Sequence, residues 1–498
     1  MNTRTRFALG AVLAASCLLP GGSPLSLAGA AGAAVRATPG TPGTPSTRGT
    51  PAAPAARKLF PAGKPGTCGR TSGPGQAPWP QFDAVPLHSG DGVGITGPAA
   101  TLRPRWRSVA LDGAVYGQPV VAGGCIFVAT ENNTVYALDE GTGAVRWRVH
   151  VATPVTSNLP CGNIDPSGVT GAPVLNPATG DLFVAVLTYL HGTPGHELVV
   201  LAASDGRVVR EQPFAVPGKN PAAEQQRSAL DEEDGNVYIA LGGLYGDCNA
   251  YWGAIVSVPQ SGGTPGYWHV PTQNQAGIWE PGGPDVLPDG DLLFADGNGA
   301  GGPGQPFDGS NGVFELSPAL HEVGVFGPTN WVQLNQQDLD LGSSAPAVLP
   351  GGVAVVVGKQ GLAYLLDLAH LGGVGGQLAE AQVCPGSAGQ GAYGADAVDG
   401  HTVYFPCTSG PVAVQVHGRS LHVLWTASAG GTGVLMVAGS KLFEEDRDGT
   451  LYAFDIDNGR VVQEIHLAAS GSDFPWVIAL DDVLYAPNGS SIEAFSGL

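Results

Sequence analysis

Carboxylate side chains between residues 277 and 367 are the groups of this chain best suited to catalysis. Glu280 lies near the start of this stretch, and Asp338 and Asp340 follow further along, two residues apart. Two carboxyl groups can hydrolyse a glycoside when one acts as the acid and the other as the nucleophile or base at a suitable separation. Glu280 and Asp338 are one candidate pair for this reaction. The two aspartates can equally serve as acceptors for backbone amides beside a strand.

Other catalytic arrangements lack their sequence motifs. The chain contains no GxSxG motif of a serine hydrolase and no glycine-rich loop followed by Lys-Ser or Lys-Thr that would bind phosphates. It also lacks the CxxC and HExxH spacings of common zinc sites, and the CxxCH motif of a covalently attached haem. Hydrolysis by a nucleophilic serine, nucleotide binding at a P-loop and c-type haem chemistry are therefore disfavoured.

A repeated strand pattern must position these carboxylates. Alternating apolar residues closed by an acidic or glycine turn begin at Thr134 (TVYALDEGTG), Glu197 (ELVVLAASDG), Gly312 (GVFELSPALH) and Thr450 (TLYAFDIDNG). Most of these segments follow a hairpin pattern such as DVLPDGDLLFA, in which an apolar strand, a turn and a second apolar run succeed one another. Strict alternation and Asp-Gly or Asn-Gly turns are typical of antiparallel hairpins.

Eight such units are expected along the chain, and internal repetition of this kind predicts a propeller. They begin near Gly113, Gly171, Arg227, Gly277, Gly342, Gly391, Gly433 and Trp476. The last unit is incomplete, and the segment LRPRWRSVA from Leu102 is a predicted strand that precedes the first unit and belongs to none. The sequence therefore predicts an all-β, eight-bladed β-propeller of four-stranded antiparallel blades, with the ring closed by pairing of the N- and C-terminal strands.

Composition agrees with this prediction. The chain has 498 residues, of which 77 are glycine and 42 are proline, and only 13% are charged. This supplies turn residues for many short strands and argues against long helices. The net charge of -20 disfavours nucleic acid and anionic membranes as partners, because both favour clustered Lys and Arg.

The N-terminal residues predict export. Arg4 and Arg6 precede an apolar run over residues 7–19, and small-residue cleavage positions follow, so residues 1–37 are assigned as a secretory signal peptide. Cys17 matches a lipoprotein site only weakly, because Ala14 stands where a larger aliphatic residue is usual. Residues 38–75 are rich in Pro, Thr, Ala and Gly and predict a disordered linker. Residues 76–498 form the predicted propeller of a secreted protein, and no second apolar stretch is long enough to span a bilayer.

Six cysteines follow the signal, and an even number in an exported chain predicts disulfides. The favoured pair is Cys384 with Cys407, which lie in adjoining units. Cys161 with Cys248 comes next, and Cys68 with Cys125 follows by elimination. Six cysteines allow 15 pairings, so the sequence alone leaves the connectivity open.

The repeats resemble a known family. Residues 137–147, ALDEGTGAVRW, resemble the Ala-x-Asp-x-x-Thr-Gly-x-x-x-Trp docking motif of the pyrroloquinoline quinone (PQQ) repeat. Its full form occurs once, and units such as AFDIDNGRVVQEI keep the strands without the tryptophan. The resemblance spans about residues 102–498. It implies the fold of quinoprotein alcohol dehydrogenases and of their non-enzymatic relatives.

The resemblance also implies site residues. Trp279 corresponds to the tryptophan under the cofactor, Asn298 to a metal ligand, and Lys359 to the cation that contacts the quinone oxygens. Asp338 corresponds to the catalytic base and is also a candidate metal ligand, and Asp340 corresponds to a further metal ligand. Together they would hold PQQ with calcium or a lanthanide, because oxygen ligands suit a hard cation and an aromatic ring stacks on a flat cofactor. From the residues alone, Trp279 can also be a packing aromatic, Asn298 a turn residue and Lys359 an exposed hairpin residue.

One departure from the family pattern weakens the metal site. Leu244 stands where the dehydrogenases supply a metal-binding glutamate, with Asp247 close by, and no adjacent Cys-Cys pair is present. The sequence therefore predicts an exported binding scaffold for an extracellular small molecule, polymer or protein, with a degenerate quinone and metal site. The alternative is a PQQ- and metal-dependent dehydrogenase that oxidises an alcohol or polyol and passes electrons to a separate acceptor. A glycoside-active propeller is the third hypothesis.

Overall fold

The computed structural model describes Cys68 and residues 77–498. The predicted signal peptide, the weak lipoprotein site at Cys17 and the predicted linker apart from Cys68 lie outside the described residues. Among the helices that are described, none combines the length and apolarity needed to cross a bilayer.

Eight antiparallel sheets follow one another along the chain as the blades of a β-propeller, which confirms the predicted fold. The first strand, β1 (Arg103–Arg107), belongs to the last blade. The strands of the first two blades are β2 (Val120–Ala122), β3 (Cys125–Ala129), β4 (Thr134–Asp139), β5 (Val145–His150), β6 (Val174–Asn176), β7 (Asp181–Leu190), β8 (Thr193–Ala202) and β9 (Val208–Phe214).

The third and fourth blades each contain a short fifth strand, which is β10 (Glu224–Gln225) in the third blade and β22 (Gly373–Val374) in the fourth. Their strands are β10 (Glu224–Gln225), β11 (Leu230–Glu233), β12 (Asn236–Gly243), β13 (Ala254–Pro259), β14 (Gly266–His269), β15 (Asp285–Val286), β16 (Leu292–Ala295), β17 (Val313–Leu316) and β18 (Glu322–Gly327). The fifth blade contains β19 (Ala347–Leu349), β20 (Val353–Val357), β21 (Leu362–Asp367) and β23 (Ala379–Gln382). The segment between the last two, β22 (Gly373–Val374), pairs in parallel with β18 of the fourth blade.

The remaining blades have the regular four strands. They are formed by β24 (Ala397–Asp399), β25 (Thr402–Phe405), β26 (Val412–His417), β27 (Ser420–Thr426), β28 (Met436–Ala438), β29 (Lys441–Glu445), β30 (Thr450–Asp455), β31 (Val461–His466), β32 (Ile478–Leu480), β33 (Val483–Asn488) and β34 (Ser491–Ser496). Within the described residues there is one α-helix, α1 (Trp331–Gln337), and there are two 3-10 turns, Pro221–Ala223 and Leu341–Ser343.

Burial explains the difference between inner and outer strands. All five residues of β3, CIFVA, are buried because both faces of this strand pack against neighbouring blades. The outer strand β31, VVQEIH, alternates between partly buried and exposed residues. The predicted glycine turns also form, with Gly290, Gly449 and Gly459 at φ of 90°, 86° and 69°.

The ring closes as predicted. The N-terminal β1 pairs antiparallel with the C-terminal β34, with Arg103 opposite Ser496 and Arg107 opposite Glu493. The eighth blade is therefore built from both ends of the propeller. Its outermost strand is the N-terminal β1, which covers the edge of the C-terminal β34.

Tryptophan side chains dock neighbouring blades at three junctions. In each, the indole Nε1 donates a hydrogen bond to a carbonyl of the next blade: Trp106 to Glu140 (3.0 Å), Trp147 to Ala203 (2.9 Å) and Trp425 to Ile456 (2.9 Å). The ring lies against a glycine in the turn after the third strand of that blade, so a side chain there would collide with the indole. Two of these junctions use tryptophans outside the one full copy of the docking motif.

A segment ahead of β1 crosses the central channel, and we call residues 79–93 the N-terminal strap. Its backbone hydrogen-bonds to the innermost strands of six blades, at Val121, Leu175, Val286, Val398, Val437 and Ala479. Val286 is the last residue of its inner strand and each of the others is the middle residue of a three-residue strand, so every contact lies within one residue of the strand end that precedes the hairpin turn. The strap therefore covers the end of the channel that these turns surround, which we call the bottom face.

His88 fastens the strap between two blades. Its Nε2 lies 2.9 Å from Asp231 Oδ1 and its Nδ1 lies 3.2 Å from Asp285 Oδ1, and all three side chains are buried. Burial alone lowers the pKa of His88, but the two aspartates raise it well above its ordinary value. His88 therefore links the strap to buried aspartates of both the third and the fourth blades.

All three expected disulfides are present. Cys68 bonds to Cys125, Cys161 to Cys248 and Cys384 to Cys407, with Cα–Cα distances of 5.4, 6.1 and 5.5 Å. Cys68 lies inside the predicted linker, yet it is buried at 1% exposure against the first blade. The structured part of the chain therefore includes this residue.

The docking contact can be tested at Gly206, where an added Cβ would lie 2.6 Å from Trp147 Cε3. Gly235 is a matched control, because its φ of 74° equals that of Gly206 (73°) within a degree and its Cβ would meet nothing within 4 Å. Gly235→Ala should cost about 1–2 kcal/mol through backbone strain alone. Gly206→Ala should cost a further 1–3 kcal/mol or so from overpacking. Guanidinium unfolding measures both; equal losses would show that the indole contact is unimportant.

Candidate functional site

The predicted site residues lie in a cavity of about 720 Å³ at the top face, opposite the strap. Two kinds of loop line it: the connections between blades and the connections between the second and third strands within a blade. Because neighbouring strands alternate in direction, both kinds lie at the end of the ring away from the inner hairpin turns. Lining residues come from loops of the third to the eighth blades.

Four of the five residues implied by the resemblance meet here. Trp279, Asp338, Asp340 and Lys359 all line the cavity. Lys359 Nζ lies 2.5 Å from Asp340 Oδ2 and 3.2 Å from Asp338 Oδ1, and 5.5 Å from the centre of the Trp279 ring. Their roles toward a cofactor remain predictions.

Helix α1 and the turn after it place the two aspartates. Asp338 ends the helix in a left-handed conformation (φ 54°, ψ 47°), which turns the chain sharply back. Asp340 then precedes the 3-10 turn Leu341–Ser343, and its carbonyl accepts a hydrogen bond from the Lys359 amide. The two aspartates differ in environment, because the Asp338 side chain is 68% exposed and that of Asp340 only 5%.

Lys359 acts as an internal counter-ion for this pair. Burial by itself lowers the pKa of Lys359, but Asp340 and Asp338 raise it above its ordinary value, so the ammonium is charged. Burial raises the pKa of Asp340, and the opposing effects of Lys359 and the Asn298 amide only partly offset this. The most deeply buried carboxylate of the site is therefore already paired with a cation.

The metal ligands implied by the resemblance are not assembled. The backbone N–H of Asn298 donates to Asp340 Oδ1 at 2.7 Å, but Asn298 is not among the residues that line the cavity. Leu244, which is only 2% exposed, lines the cavity at the position where the dehydrogenases supply a metal-binding glutamate. Asp247 lines the cavity, yet it accepts a hydrogen bond from the Tyr251 hydroxyl at 2.5 Å. Two carboxylates bridged by a lysine do not fit a resident divalent cation, which needs several free oxygen ligands.

Arg227 also lines the cavity, which the sequence did not predict, because there it marks only the start of a repeat unit. Its guanidinium carbon lies 4.2 Å from the centre of the Phe474 ring and 5.9 Å from that of Trp279. Burial lowers the pKa of Arg227 to about 10, so the group stays charged at neutral pH. Among the described residues it has no hydrogen bond or ion pair, so its N–H donors are available to a ligand. An arginine at the start of a unit was the only signal in the sequence.

Two loops of the cavity wall are held by disulfides. Cys248 follows the loop of Leu244 and Asp247, and its bond to Cys161 ties this loop to the connection between the first two blades. Cys407 precedes Thr408, which also lines the cavity. Two of the loops that line the cavity are therefore covalently restrained.

Glu280 lies away from Asp338, contrary to the pairing considered for glycoside hydrolysis. Its side chain is fully buried (0% exposed) near Asp285 and His88 beneath the strap, and it does not line the cavity. Burial raises the pKa of Glu280 well above its ordinary value, and Asp285 and Asp231 add to the rise. A fully enclosed carboxyl group outside the cavity cannot act together with Asp338 on a sugar bound at the top face.

Comparison with known proteins supports the PQQ-repeat resemblance. Residues 89–296 match the PQQ_2 family, described as outer membrane protein assembly factor BamB. This range contains the first three blades and the start of the fourth. A search of curated protein sequences finds no match.

Solved structures share the fold at low sequence identity. The chain is similar to the quinohemoprotein alcohol dehydrogenase ADHIIG from Pseudomonas putida HK5, with a TM-score of 0.65 and 14% identity over 86% of this chain and 83% of that one. A europium-containing methanol dehydrogenase gives 0.60 and 15% over 82% and 89%. BamB from Moraxella catarrhalis gives 0.55 and 12% over 80% and 100%. At these identities the similarity establishes the propeller fold.

The Lys359 ion pair can be tested through its dependence on pH. Lys359→Met leaves Asp340 buried without a cation, so the free energy of unfolding should fall by about 3–5 kcal/mol at pH 7.5. The pKa of Asp340 in the folded variant lies above its value in the unfolded chain. The loss of stability therefore appears as the pH rises from the unfolded pKa toward the folded pKa, and it disappears at low pH, where Asp340 is protonated in both states. Urea unfolding of wild type and variant at pH 4 and 7.5 measures the difference.

The control is Asp338→Asn, which removes the exposed partner and should cost no more than about 1 kcal/mol at either pH. A Lys359→Met loss of the same size at both pH values would contradict the assigned ion pair.

Proposed function

We propose that this PQQ-repeat β-propeller is an exported binding protein whose top-face cavity holds a flat, carboxylate-bearing aromatic ligand, PQQ or a compound of that class, without a resident divalent metal. The observation that carries the proposal is Arg227, a charged guanidinium without a hydrogen-bonding partner among the described residues, held against the Phe474 and Trp279 rings. Arginine in this setting binds a carboxylate through two parallel hydrogen bonds.

The cavity supports this chemistry in two further ways. Trp279 and Phe474, with ring centres 6.3 Å apart, offer apolar surface to an aromatic ring beside the guanidinium. Lys359 Nζ lies 5.5 Å from the centre of the Trp279 ring and adds a second cation, although its charge is shared with two aspartates. A flat ligand would contact Trp279 and direct its carboxylates toward Arg227.

Export is part of the proposal and is supported by the apolar N-terminal run and by three disulfides, which persist in oxidising compartments. The ligand is a small molecule rather than a nucleic acid. A protein partner at the outer surface is compatible with the same fold.

The dehydrogenase is the second candidate, and it is favoured by the meeting of Trp279, Asp338, Asp340 and Lys359 in one cavity. Asp338 is exposed enough to accept a proton from a bound alcohol. PQQ would supply the acceptor for the two electrons. Against this candidate stand the lysine that bridges both aspartates and the leucine at position 244.

Ligand binding can be measured by titrating the protein with PQQ while following tryptophan fluorescence and PQQ absorbance. We expect saturable binding that persists in EDTA. Arg227→Gln should weaken it at least about tenfold, because a hydrogen-bonded pair of charged groups contributes roughly 1.5–3 kcal/mol. Arg447→Gln is the matched control, since this arginine also lines the cavity but is exposed. No binding, or equal weakening by both variants, would contradict the assigned anchor.

Turnover separates the two candidates. With PQQ and calcium or a lanthanide, the wild type should reduce an artificial electron acceptor no faster with alcohols or polyols than without them. Asp338→Asn should not change this rate. A substrate-dependent rate that Asp338→Asn abolishes would establish the dehydrogenase instead.

A further inference from the structure

A second group of carboxylates lies on the bottom face of the fourth blade, remote from the top-face cavity. Asp289 and Asp291 belong to the hairpin turn between β15 and β16, and Glu315 lies on β17. One carboxylate oxygen of each residue lies within 4.8 Å of those of the other two. Strand pairing explains why these side chains approach one another. Glu315 is opposite Leu293, and Asp291, which precedes Leu293 by two residues, lies on the same face of the sheet as Glu315.

Glu315 is the unusual member of this group. The residue is only 7% exposed, and its carboxylate has no hydrogen bond or ion pair among the described residues. Its carboxylate faces the adjoining cavity, where two further carboxylates lie close by and no cationic side chain of the described residues pairs with it. Burial raises the pKa of Glu315, and Asp291 and Asp289 raise it further. The protein therefore maintains a repulsive arrangement that its own side chains do not neutralise.

The surrounding cavity, about 530 Å³, adds to the negative charge. Besides the three carboxylates it is lined by Glu322 at the start of β18 and by the loop of residues 368–373, and none of the described residues that line it is a lysine or arginine. His370 also lies on its wall. Space for water and exposed backbone are therefore available beside the three acidic groups.

We propose that Asp289, Asp291 and Glu315 form a calcium site. Calcium takes six to eight oxygen ligands at about 2.3–2.6 Å in irregular geometry, and three carboxylates supply up to six such oxygens. Oxygens spread over as much as 4.8 Å fit these bond lengths. Magnesium is less suited, because it requires a compact octahedron with distances near 2.1 Å.

The site would join separate parts of the ring. The hairpin of Asp289 and Asp291 and strand β17 belong to the fourth blade, whereas residues 368–373 lead from β21 of the fifth blade into β22, which pairs with β18. A cation here would neutralise the face on which the two blades meet. Calcium should accordingly stabilise the protein without changing the top-face cavity.

The experiment uses the full chain freed of metal with EDTA, and follows calcium binding by isothermal titration calorimetry and thermal unfolding. We expect one saturable event with calcium, a rise in Tm, and weaker binding of magnesium. Glu315→Gln should reduce calcium affinity at least about tenfold. Glu322→Gln, which removes one charge from the same cavity, should change it less than about twofold if the three ligands are correctly assigned.

A crossover in stability distinguishes a metal ligand from a structural residue. Without metal, Glu315→Gln should have a Tm equal to or above that of the wild type, because it relieves repulsion; with calcium the wild type should be the more stable. Asp340→Asn should leave the calcium event intact, which separates this site from the top-face cavity. No calcium binding, equal loss in Glu315→Gln and Glu322→Gln, or loss only in Asp340→Asn would overturn the proposal.

Discussion

Closure of the ring by the pairing of β1 with β34 is the constraint on which the rest of the structure depends. Each blade is a small sheet that buries its faces only against the blades beside it, so an open ring would expose two apolar faces and a strand edge. Once the ring is closed, every inner strand is packed on both faces. The indole contacts of Trp106, Trp147 and Trp425 then fix the spacing between adjacent blades from the outside.

The N-terminal strap secures the same ring from inside. It crosses the bottom of the channel and hydrogen-bonds to inner strands that are far apart in the sequence. His88 lies between Asp231 and Asp285, and these two aspartates raise its pKa, so the strap places a basic side chain in the acidic interior. Because the bottom is covered, the top-face cavity is the end of the channel at which a ligand can meet the loops of many blades.

Charge compensation separates the two acidic sites. At the top face Lys359 is paired with Asp338 and Asp340, and a further cation would have to displace it. At the bottom of the fourth blade, no lysine or arginine of residues 77–498 lines the cavity around Asp289, Asp291 and Glu315. The residues that resemble a family's metal site are thus less suited to a metal than a cluster with no such resemblance. Similarity of fold to the alcohol dehydrogenases and to BamB therefore leaves the chemistry to individual side chains.

The sequence by itself determined the propeller, because alternating strands and glycine turns are local patterns that recur in most units. It also indicated ring closure, because the predicted strand that begins at Leu102 belongs to no unit and the last unit is incomplete. It ranked the three disulfides as well, since the repeat brings cysteines of neighbouring units together. Only the tertiary structure decided which side chains face the cavity. Asn298 contributes its backbone, Glu280 is enclosed beneath the strap, and Arg227 lies against Phe474, about 250 residues away in the chain. Such placements depend on the packing of whole blades around a closed ring, which local periodicity does not encode.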